Sequence, residues 1–242
     1  QRGMNVTVLH LMDRIMERQL DGRASRMLRQ SIEEKGINII TEANTEALIG
    51  KDGHVNQVRL KDGTVLDADL VVFAVGIRPN IALAQSAGLR CNRGILVNDT
   101  MQTFDPSIYA VGECIEHRNQ TFGLVEPLWG QAFICATHLA EHGSLTFKSP
   151  TVPTQLKVSG VDVFSAGNFE PKEDYEDIIL NDEKRQIYKR IIIQKDKVIG
   201  AVLFGDTEDG MWYAELIADQ TPISTFRNKL LFGKDFAMKK AG

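Results

Sequence analysis

Apolar and polar positions follow strand-like and then helix-like spacing over the first forty residues. Residues 6–9 and 37–40 are short apolar runs typical of strands, and we expect the first to be buried. Between them, residues 24–35 carry apolar side chains at the spacing of one helix face and end at Gly36. The pattern predicts a strand–helix–strand unit of an α/β domain.

Three further strand patterns and one longer apolar run follow. Residues 47–49, 55–60 and 64–66 predict a small antiparallel sheet, with Asp62-Gly63 as its last turn. The uninterrupted apolar run over residues 70–75 predicts a parallel strand that is covered on both faces.

The middle of the chain predicts a second α/β segment, and the end predicts a separate α+β domain. Helices are expected over residues 80–87 and 127–142, and strands over 95–97 and 108–111. A linker at 149–153 precedes strands predicted at 156–158, 161–165, 187–193 and 198–204, and helices near 211–218 and 225–231. Residues 170–176 are charge-dense, which is typical of a solvated loop. The fold class is therefore α/β with a C-terminal α+β domain.

Composition and charge exclude several classes of protein. The 242 residues are 43% apolar and include 28 basic and 32 acidic side chains, an ordinary globular balance with a net charge of −4. This charge gives no basic surface for nucleic acid, and no apolar run approaches the roughly 20 residues of a membrane span. Three distant cysteines without a CxxC motif favour a cytoplasmic location. Because the chain starts without Met and enters a strand at once, we expect a fragment of a longer protein.

Two strings have the features of a ligand site at a sheet edge. Residues 103–113 end in Gly112, which permits close approach of a ligand, and Glu113, which can accept hydrogen bonds from sugar-type hydroxyls. A surface turn after a strand explains this string equally well. In residues 75–80, Gly76 breaks an apolar run shortly before Pro79, which suits a chain that crosses between domains over a nucleotide.

Together with residues 161–167, these strings resemble the flavin-dependent pyridine-nucleotide oxidoreductases. The resemblance implies that residues 1–76 are the second half of an NAD(P)-binding domain, 77–148 the C-terminal part of an FAD-binding domain, and 149–242 an interface domain. These would be Rossmann-like halves of a flavoprotein with two dinucleotide-binding domains. Residues 8–21, 111–117 and 123–132 are more closely similar to the flavoprotein module of NAD(P)H-dependent assimilatory nitrite reductases and of assimilatory nitrate reductase electron-transfer subunits.

The resemblance implies FAD and NAD(P)H as cofactors. In such enzymes a hydride passes from NAD(P)H to FAD, and electrons continue to iron–sulfur and sirohaem centres for nitrite reduction. Those centres would lie outside this chain, because its cysteines lack cluster spacing. The implied partners are a nicotinamide nucleotide, downstream redox domains or a small subunit, and a second copy of the chain in a homodimer.

The same resemblance assigns the candidate binding residues. Gly112 and Glu113 would hold the sugar hydroxyls of FAD, although the family usually carries Asp where Glu113 stands. The start of the 127–142 helix would border the flavin with its free N–H groups and positive helix end; the residues are Glu126, Pro127, Leu128 and Trp129. Gly76 and His10 would belong to the nicotinamide nucleotide site.

Two departures from the family pattern matter. The phosphate-binding GxGxxG string is absent for both dinucleotides, and family order places both strings upstream of Gln1. We therefore expect this chain alone to bind FAD weakly or not at all and to be inactive, while the full-length protein is an enzyme. His10 stands where NAD enzymes usually carry an acid for the ribose. With Arg14 it could accept a 2′-phosphate, or it could simply pack or face solvent, so the choice between NADH and NADPH stays open.

One short string matches a metal-site pattern. His138 and His142 match the H-x-x-E-H spacing of a zinc-peptidase family. They stand at a predicted helix end that favours histidine in any case, so we predict no metal site. The alternative functions are a rubredoxin-reductase-like or NADH-oxidase-like flavoprotein, and a non-catalytic interaction module on a degenerate flavoprotein scaffold.

Overall fold

The computed structural model describes residues 3–141, 143, 145–149, 153–158, 160–171 and 173–238. These residues form two compact units. The first unit joins the chain up to Val71 with the part that follows residue 150, and the second runs from Val72 to residue 150. The division into three segments at 76/77 and 148/149 stays a prediction.

The first unit begins with the predicted strand–helix–strand arrangement. Strands β1 (Val6–Leu9) and β2 (Ile37–Ile40) pair in parallel, and helix α1 (Gly22–Glu33) connects them. Asp21 caps α1, because its carboxylate accepts a hydrogen bond from the Ala24 N–H at 2.9 Å. The expected burial of residues 6–9 is wrong: β1 is mostly exposed, since among the described residues it pairs only with β2.

The predicted antiparallel sheet follows. It contains β3 (Thr45–Lys51), β4 (His54–Leu60) and β5 (Val65–Asp67), in that order. Gly63 takes a φ of +90° in the last turn, and the Asp62 carboxylate accepts a hydrogen bond from the Thr64 N–H. This part of the sequence interpretation is confirmed.

The second unit is built around one long helix. It contains α2 (Ala82–Ser86), β6 (Ile95–Val97), β7 (Ile115–His117), β8 (Gln120–Thr121) and α3 (Val125–Leu139). Strand β7 is parallel to β6 and antiparallel to β8. Buried side chains between this sheet and α3 form the core of the unit: Met101, Ile115, Phe122, Ile134, Cys135 and Phe147.

Two predicted strands are absent from the described residues. The run 70–75 has no regular secondary structure, and the side chains of Val72, Phe73 and Val75 are 78%, 68% and 87% exposed. Residues 108–111 make only an isolated bridge, between Tyr109 and Gln102. A strand needs the backbone of a neighbouring strand, and in the described part of the chain no such neighbour lies beside residues 70–75.

The C-terminal part of the first unit is a five-stranded antiparallel sheet. Its strands are β9 (Thr154–Val158), β10 (Val161–Gly167), β11 (Glu176–Asp182), β12 (Ile187–Gln194) and β13 (Lys197–Phe204). Their order is β11-β12-β13-β10-β9. Strand β11 was not predicted, and the helix expected near residues 225–231 is a 3₁₀ helix over residues 227–232. Helices α4 (Gly210–Asp219) and α5 (Lys234–Met238) complete the element list.

This sheet is covered on both faces. One face packs against α4, with Phe164, Leu203 and Tyr213 in a single buried cluster. The other face packs against α1, where Leu28 and Phe204 share a second buried cluster. Alternate residues of β10, β12 and β13 therefore enter two different cores, as the period of a strand requires.

Candidate functional site

The turn at Gly112 is open on one side and fixed on the other. Gly112 has a φ of +103°, and no atom lies within 4 Å of the position that a Cβ would occupy. Its N–H donates a hydrogen bond to Gln131 Oε1 at 2.8 Å. Gln131 lies on α3 and is fully buried. The turn is therefore held by the helix and leaves space for a ligand to approach the glycine.

The side-chain amide of Gln131 is only half satisfied. Its Nε2 atom is buried and has no hydrogen-bond partner among the described residues. Leaving a buried donor unpaired costs about 1–3 kcal/mol, so such groups are uncommon in native proteins. Beside an open glycine, this unpaired donor is suited to an oxygen atom of a bound ligand.

The start of α3 provides further donors. Leu124 precedes the helix in an extended conformation, and no described side chain caps the helix end. Glu126 lies in the first turn, Pro127 is buried and Leu128 is half-buried, whereas the Trp129 ring is 73% exposed. The free N–H groups and the positive end of the helix favour negative charge at this place.

Two carboxylates three residues apart have different environments. Glu113 is exposed and makes no hydrogen bond or ion pair to any described residue. Glu116 is buried and accepts hydrogen bonds from the side chain of Asn92 and the backbone N–H groups of Arg93 and Gly94. Burial alone would raise the pKa of Glu116, but these hydrogen bonds hold it below its usual value. Glu116 is thus a structural residue, and Glu113 is available to a ligand.

Gly76 lies close in the fold to the start of α3. It is exposed, with a φ of +77°, and the next residue, Ile77, places its Cδ1 atom 3.4 Å from where a Cβ on Gly123 would stand. The second unit therefore brings together three of the predicted strings: Gly76, the Gly112-Glu113 turn, and the helix start at 126–129.

His10 belongs to the first unit, directly after β1. Its backbone is fixed by hydrogen bonds to Ile40 and Ala43. Its side chain is 30% exposed, and its Nε2 atom lies 3.1 Å from Glu17 Oε2. Arg14, the other predicted member of this site, forms an ion pair with Glu170. His10 is therefore neither buried nor free in solvent, but paired with a carboxylate.

The zinc-peptidase pattern is not assembled in the described structure. His138 Nδ1 lies 2.8 Å from the Tyr109 hydroxyl, and His142 lies outside the described residues. The described residues contain no cluster of three or more potential metal-ligating side chains.

Cys91, Cys114 and Cys135 are free thiols, and burial raises the pKa of Cys114 and Cys135. Among the described helices, none has the length and apolar character needed to span a membrane.

Sequence reasoning missed two residues of these sites. Gln131 and Glu17 lie within the strings 123–132 and 8–21 but were given no role, and each is brought to its place by a partner elsewhere in the sequence. The available signals were indirect: a glutamine in the middle of a helix otherwise lined by apolar residues, and an acid seven residues after a strand end.

Comparison with protein families finds two matches in chain order. Residues 1–132 match the model described as pyridine nucleotide-disulphide oxidoreductase. Residues 153–221 match the rubredoxin NAD+ reductase C-terminal domain.

Curated relatives give the same picture. The chain is 47% identical over 222 residues to a nitrite reductase [NAD(P)H] of Bacillus subtilis, covering 92% of this chain and 28% of that protein. It is 40% identical over 229 residues to the assimilatory nitrate reductase electron transfer subunit of the same organism, covering 95% of this chain and 30% of that protein. The chain therefore spans less than a third of the length of these relatives.

Solved structures match over almost the whole chain. A NAD-dependent persulfide reductase from A. fulgidus is 27% identical with a TM-score of 0.79, over 93% of this chain and 46% of that one. An FAD-dependent pyridine nucleotide-disulphide oxidoreductase from Desulfovibrio vulgaris is 27% identical with a TM-score of 0.76, over 95% of this chain and 62% of that one. The predicted fold class is confirmed.

Proposed function

Since the chain belongs to the pyridine nucleotide-disulphide oxidoreductase family, we propose that it is part of an NAD(P)H-dependent flavoprotein that supplies electrons for nitrite reduction. The 47% and 40% identity to proteins of nitrite and nitrate assimilation supports this proposal. We propose that the iron–sulfur and sirohaem centres lie outside this chain, with downstream redox domains or a small subunit as partners. A cytoplasmic location and a homodimer belong to the same proposal.

The observation that carries the FAD assignment is the arrangement at Gly112. An open glycine, the buried and unpaired Nε2 donor of Gln131, and an uncapped helix end provide space and hydrogen-bond donors for an oxygen-rich ligand. The chemistry that bound FAD would supply is acceptance of a hydride and release of single electrons.

The residues of this chain would then bind and orient the flavin nucleotide. Glu113 would accept hydrogen bonds from the sugar hydroxyls, and Gly112 would let them approach the backbone. The N–H groups at Glu126 and Leu128 would stabilise negative charge at the flavin edge, with Pro127 fixing the turn and Trp129 covering the ring. Gly76 and His10 would belong to the nicotinamide nucleotide site.

Titration with FAD, followed by quenching of flavin fluorescence, tests this assignment. We expect weak or no binding to the 242-residue chain and tight binding to the full-length product of its gene. In the full-length protein, Glu113→Gln should weaken FAD binding about tenfold or more, because a charge-assisted hydrogen bond is lost. The matched control is Glu208→Gln, an exposed acid on the other unit. Equal FAD affinity of wild type and Glu113→Gln would contradict the assignment.

A second candidate function rests on the C-terminal match. Residues 153–221 match the rubredoxin NAD+ reductase domain, and the chain is 37% identical over half its length to a rubredoxin-NAD(+) reductase of Pseudomonas putida. A small iron–sulfur protein would then be the electron acceptor. Comparison of nitrite and rubredoxin as acceptors for the full-length protein, with NAD(P)H as donor, separates the two. If NAD(P)H is oxidised neither by bound flavin nor in the presence of either acceptor, the result would instead favour the non-catalytic interaction module.

A further inference from the structure

The loop after β1 places an acid beside the histidine at the strand end. His10 Nε2 and Glu17 Oε2 are 3.1 Å apart, although seven residues separate them in the sequence. The Glu17 side chain is 23% exposed, so the carboxylate is held against the protein but still reaches solvent.

This loop is fixed by its own contacts. Ile15 and Leu20 are 8% and 1% exposed and belong to the core beneath α1. The Ser25 hydroxyl donates to the Ile15 carbonyl at 2.8 Å, and the Leu20 N–H donates to the Met16 carbonyl at 2.8 Å. Both flanks of Glu17 are therefore anchored, and its position does not depend on His10 alone.

The neighbouring basic groups are differently placed. The Arg14 guanidinium is engaged by the Glu170 carboxylate, which offsets its charge. Arg18 is 86% exposed, and its Nε atom lies 3.9 Å from Glu17 Oε1. At this distance and exposure the contact is weak and screened by solvent. The charge held in place at the strand end is thus the carboxylate of Glu17.

From this geometry we infer that Glu17 is the specificity-determining residue of the nicotinamide nucleotide site and that it selects NADH over NADPH. The inference rests on the proposed function. At the carboxyl end of a parallel strand, a carboxylate accepts hydrogen bonds from ribose hydroxyls and repels a 2′-phosphate. Here a histidine occupies the usual position of the acid, and Glu17 supplies the carboxylate from the loop.

The test uses the full-length protein and two fragments of the nucleotides. Isothermal titration measures the dissociation constants of ADP-ribose and 2′-phospho-ADP-ribose, and steady-state kinetics gives kcat/KM for NADH and NADPH. Wild type should prefer the nucleotide without the 2′-phosphate in both measurements. Glu17→Gln should shift the ratio of the two dissociation constants about tenfold toward the 2′-phosphate, because one repulsive charge at close range is removed.

Three further variants sharpen the test. Glu33→Gln removes an exposed acid on α1 and should leave the ratio unchanged. His10→Asn removes one of the contacts that position the Glu17 carboxylate and should shift the ratio in the same direction as Glu17→Gln, by less, because the flanks of Glu17 still anchor it. Arg18→Gln should not weaken binding of the 2′-phosphate, and this variant stands in if Glu17→Gln does not fold.

The outcomes separate the inference from the function beneath it. A wild-type preference for NADPH, an unchanged ratio in Glu17→Gln, or loss of 2′-phosphate binding in Arg18→Gln each overturns the role of Glu17 alone. Failure of the full-length protein to bind either fragment, or to oxidise either nucleotide, overturns the proposed function as well.

Discussion

The backbone N–H of Gly112 donates a hydrogen bond of 2.8 Å to the side-chain oxygen of Gln131, which lies 19 residues further along the chain. This bond joins the turn that presents Glu113 to the middle of α3. Because Gln131 is fully buried, the acceptor end of the bond is shielded from water. The geometry of the candidate flavin site thus depends on a residue within the core.

Replacement of Gln131 by Leu should lower the free energy of unfolding by up to about 1 kcal/mol, because the part-buried Gly112 N–H loses its acceptor while removal of the unpaired Nε2 donor offsets part of that loss. In the full-length protein the same change should weaken FAD binding, since the turn is no longer held. Urea denaturation and FAD titration measure the two effects.

Gln85→Leu is the matched control for this change. Gln85 is an exposed glutamine on α2, and its replacement should alter stability by no more than about 0.5 kcal/mol. If Gln131→Leu were as stable as wild type and bound FAD equally well, the hydrogen bond would have no role in either property.

The ion pairs around Asp99 should make stability depend on acid pH. The Arg118 guanidinium, and after it His117, lowers the pKa of Asp99 to about 2. An unfolded Asp has a pKa of about 3.9, so Asp99 stabilises the folded state above pH 4, and this contribution is lost as the pH falls toward 2. The free energy of unfolding should therefore fall more steeply between pH 4 and 2 in wild type than in Asp99→Asn.

Asp69→Asn serves as the comparison for that series, because Asp69 is exposed and makes no hydrogen bond or ion pair to any described residue. Its profile should follow that of wild type. If the free energy of unfolding fell equally steeply with pH in wild type and Asp99→Asn, the ion pairs of Asp99 would contribute nothing to stability in solution.

Tyr188 connects the C-terminal sheet to α1. Its hydroxyl donates to Asp21 Oδ2 at 2.8 Å, and both side chains are buried. Burial, and then the Asp21 carboxylate, raise the pKa of Tyr188 well above its usual value. Tyr188→Phe should cost about 1.5–3 kcal/mol of unfolding free energy, the range for a hydrogen bond to a charged group. Tyr175→Phe, at a tyrosine that is 40% exposed, should cost much less; equal costs would argue against the buried hydrogen bond.

Two glycines should respond to alanine with opposite signs. A Cβ on Gly94 would lie 2.5 Å from the Ile115 carbonyl carbon, so Gly94→Ala must displace backbone and should destabilise by about 1–3 kcal/mol. A Cβ on Gly22, at the start of α1, meets only the end of the Arg26 side chain at 3.5 Å. Gly22→Ala should stabilise by up to about 1 kcal/mol. Thermal unfolding of the pair checks both signs.

The sequence predicted elements whose apolar pattern is completed by local partners. The sheet β3–β5 is of this kind, because its contacts lie within a few tens of residues. Helix α1 was predicted from its own apolar spacing, although the C-terminal sheet that it packs against could not be. Residues 70–75 were wrongly expected to form a buried strand, because an apolar run does not reveal whether other strands flank it. Strand β11 was missed because acids at both ends conceal the apolar residues at its centre.

The candidate site was predictable only where a motif marks it. Gly112, Glu113 and the helix start at 126–129 were found from their strings, and their roles as binding residues stay predictions. Gln131 acts through a backbone group 19 residues away, and Glu17 through a histidine on the far side of a loop. Such pairings depend on the path of the chain, which periodicity and spacing do not specify.

The hydrogen bond between Asp21 and Tyr188 also bears on how the protein is made. The two residues are 167 positions apart, and a ribosome that adds about 5–20 residues per second needs roughly 10–30 s to synthesise the intervening chain. During that time α1 has β2 beside it, but the five-stranded sheet cannot yet cover its apolar face. We therefore expect ribosome-associated chaperones to bind the nascent chain after α1 has been made and until β12 has emerged from the exit tunnel.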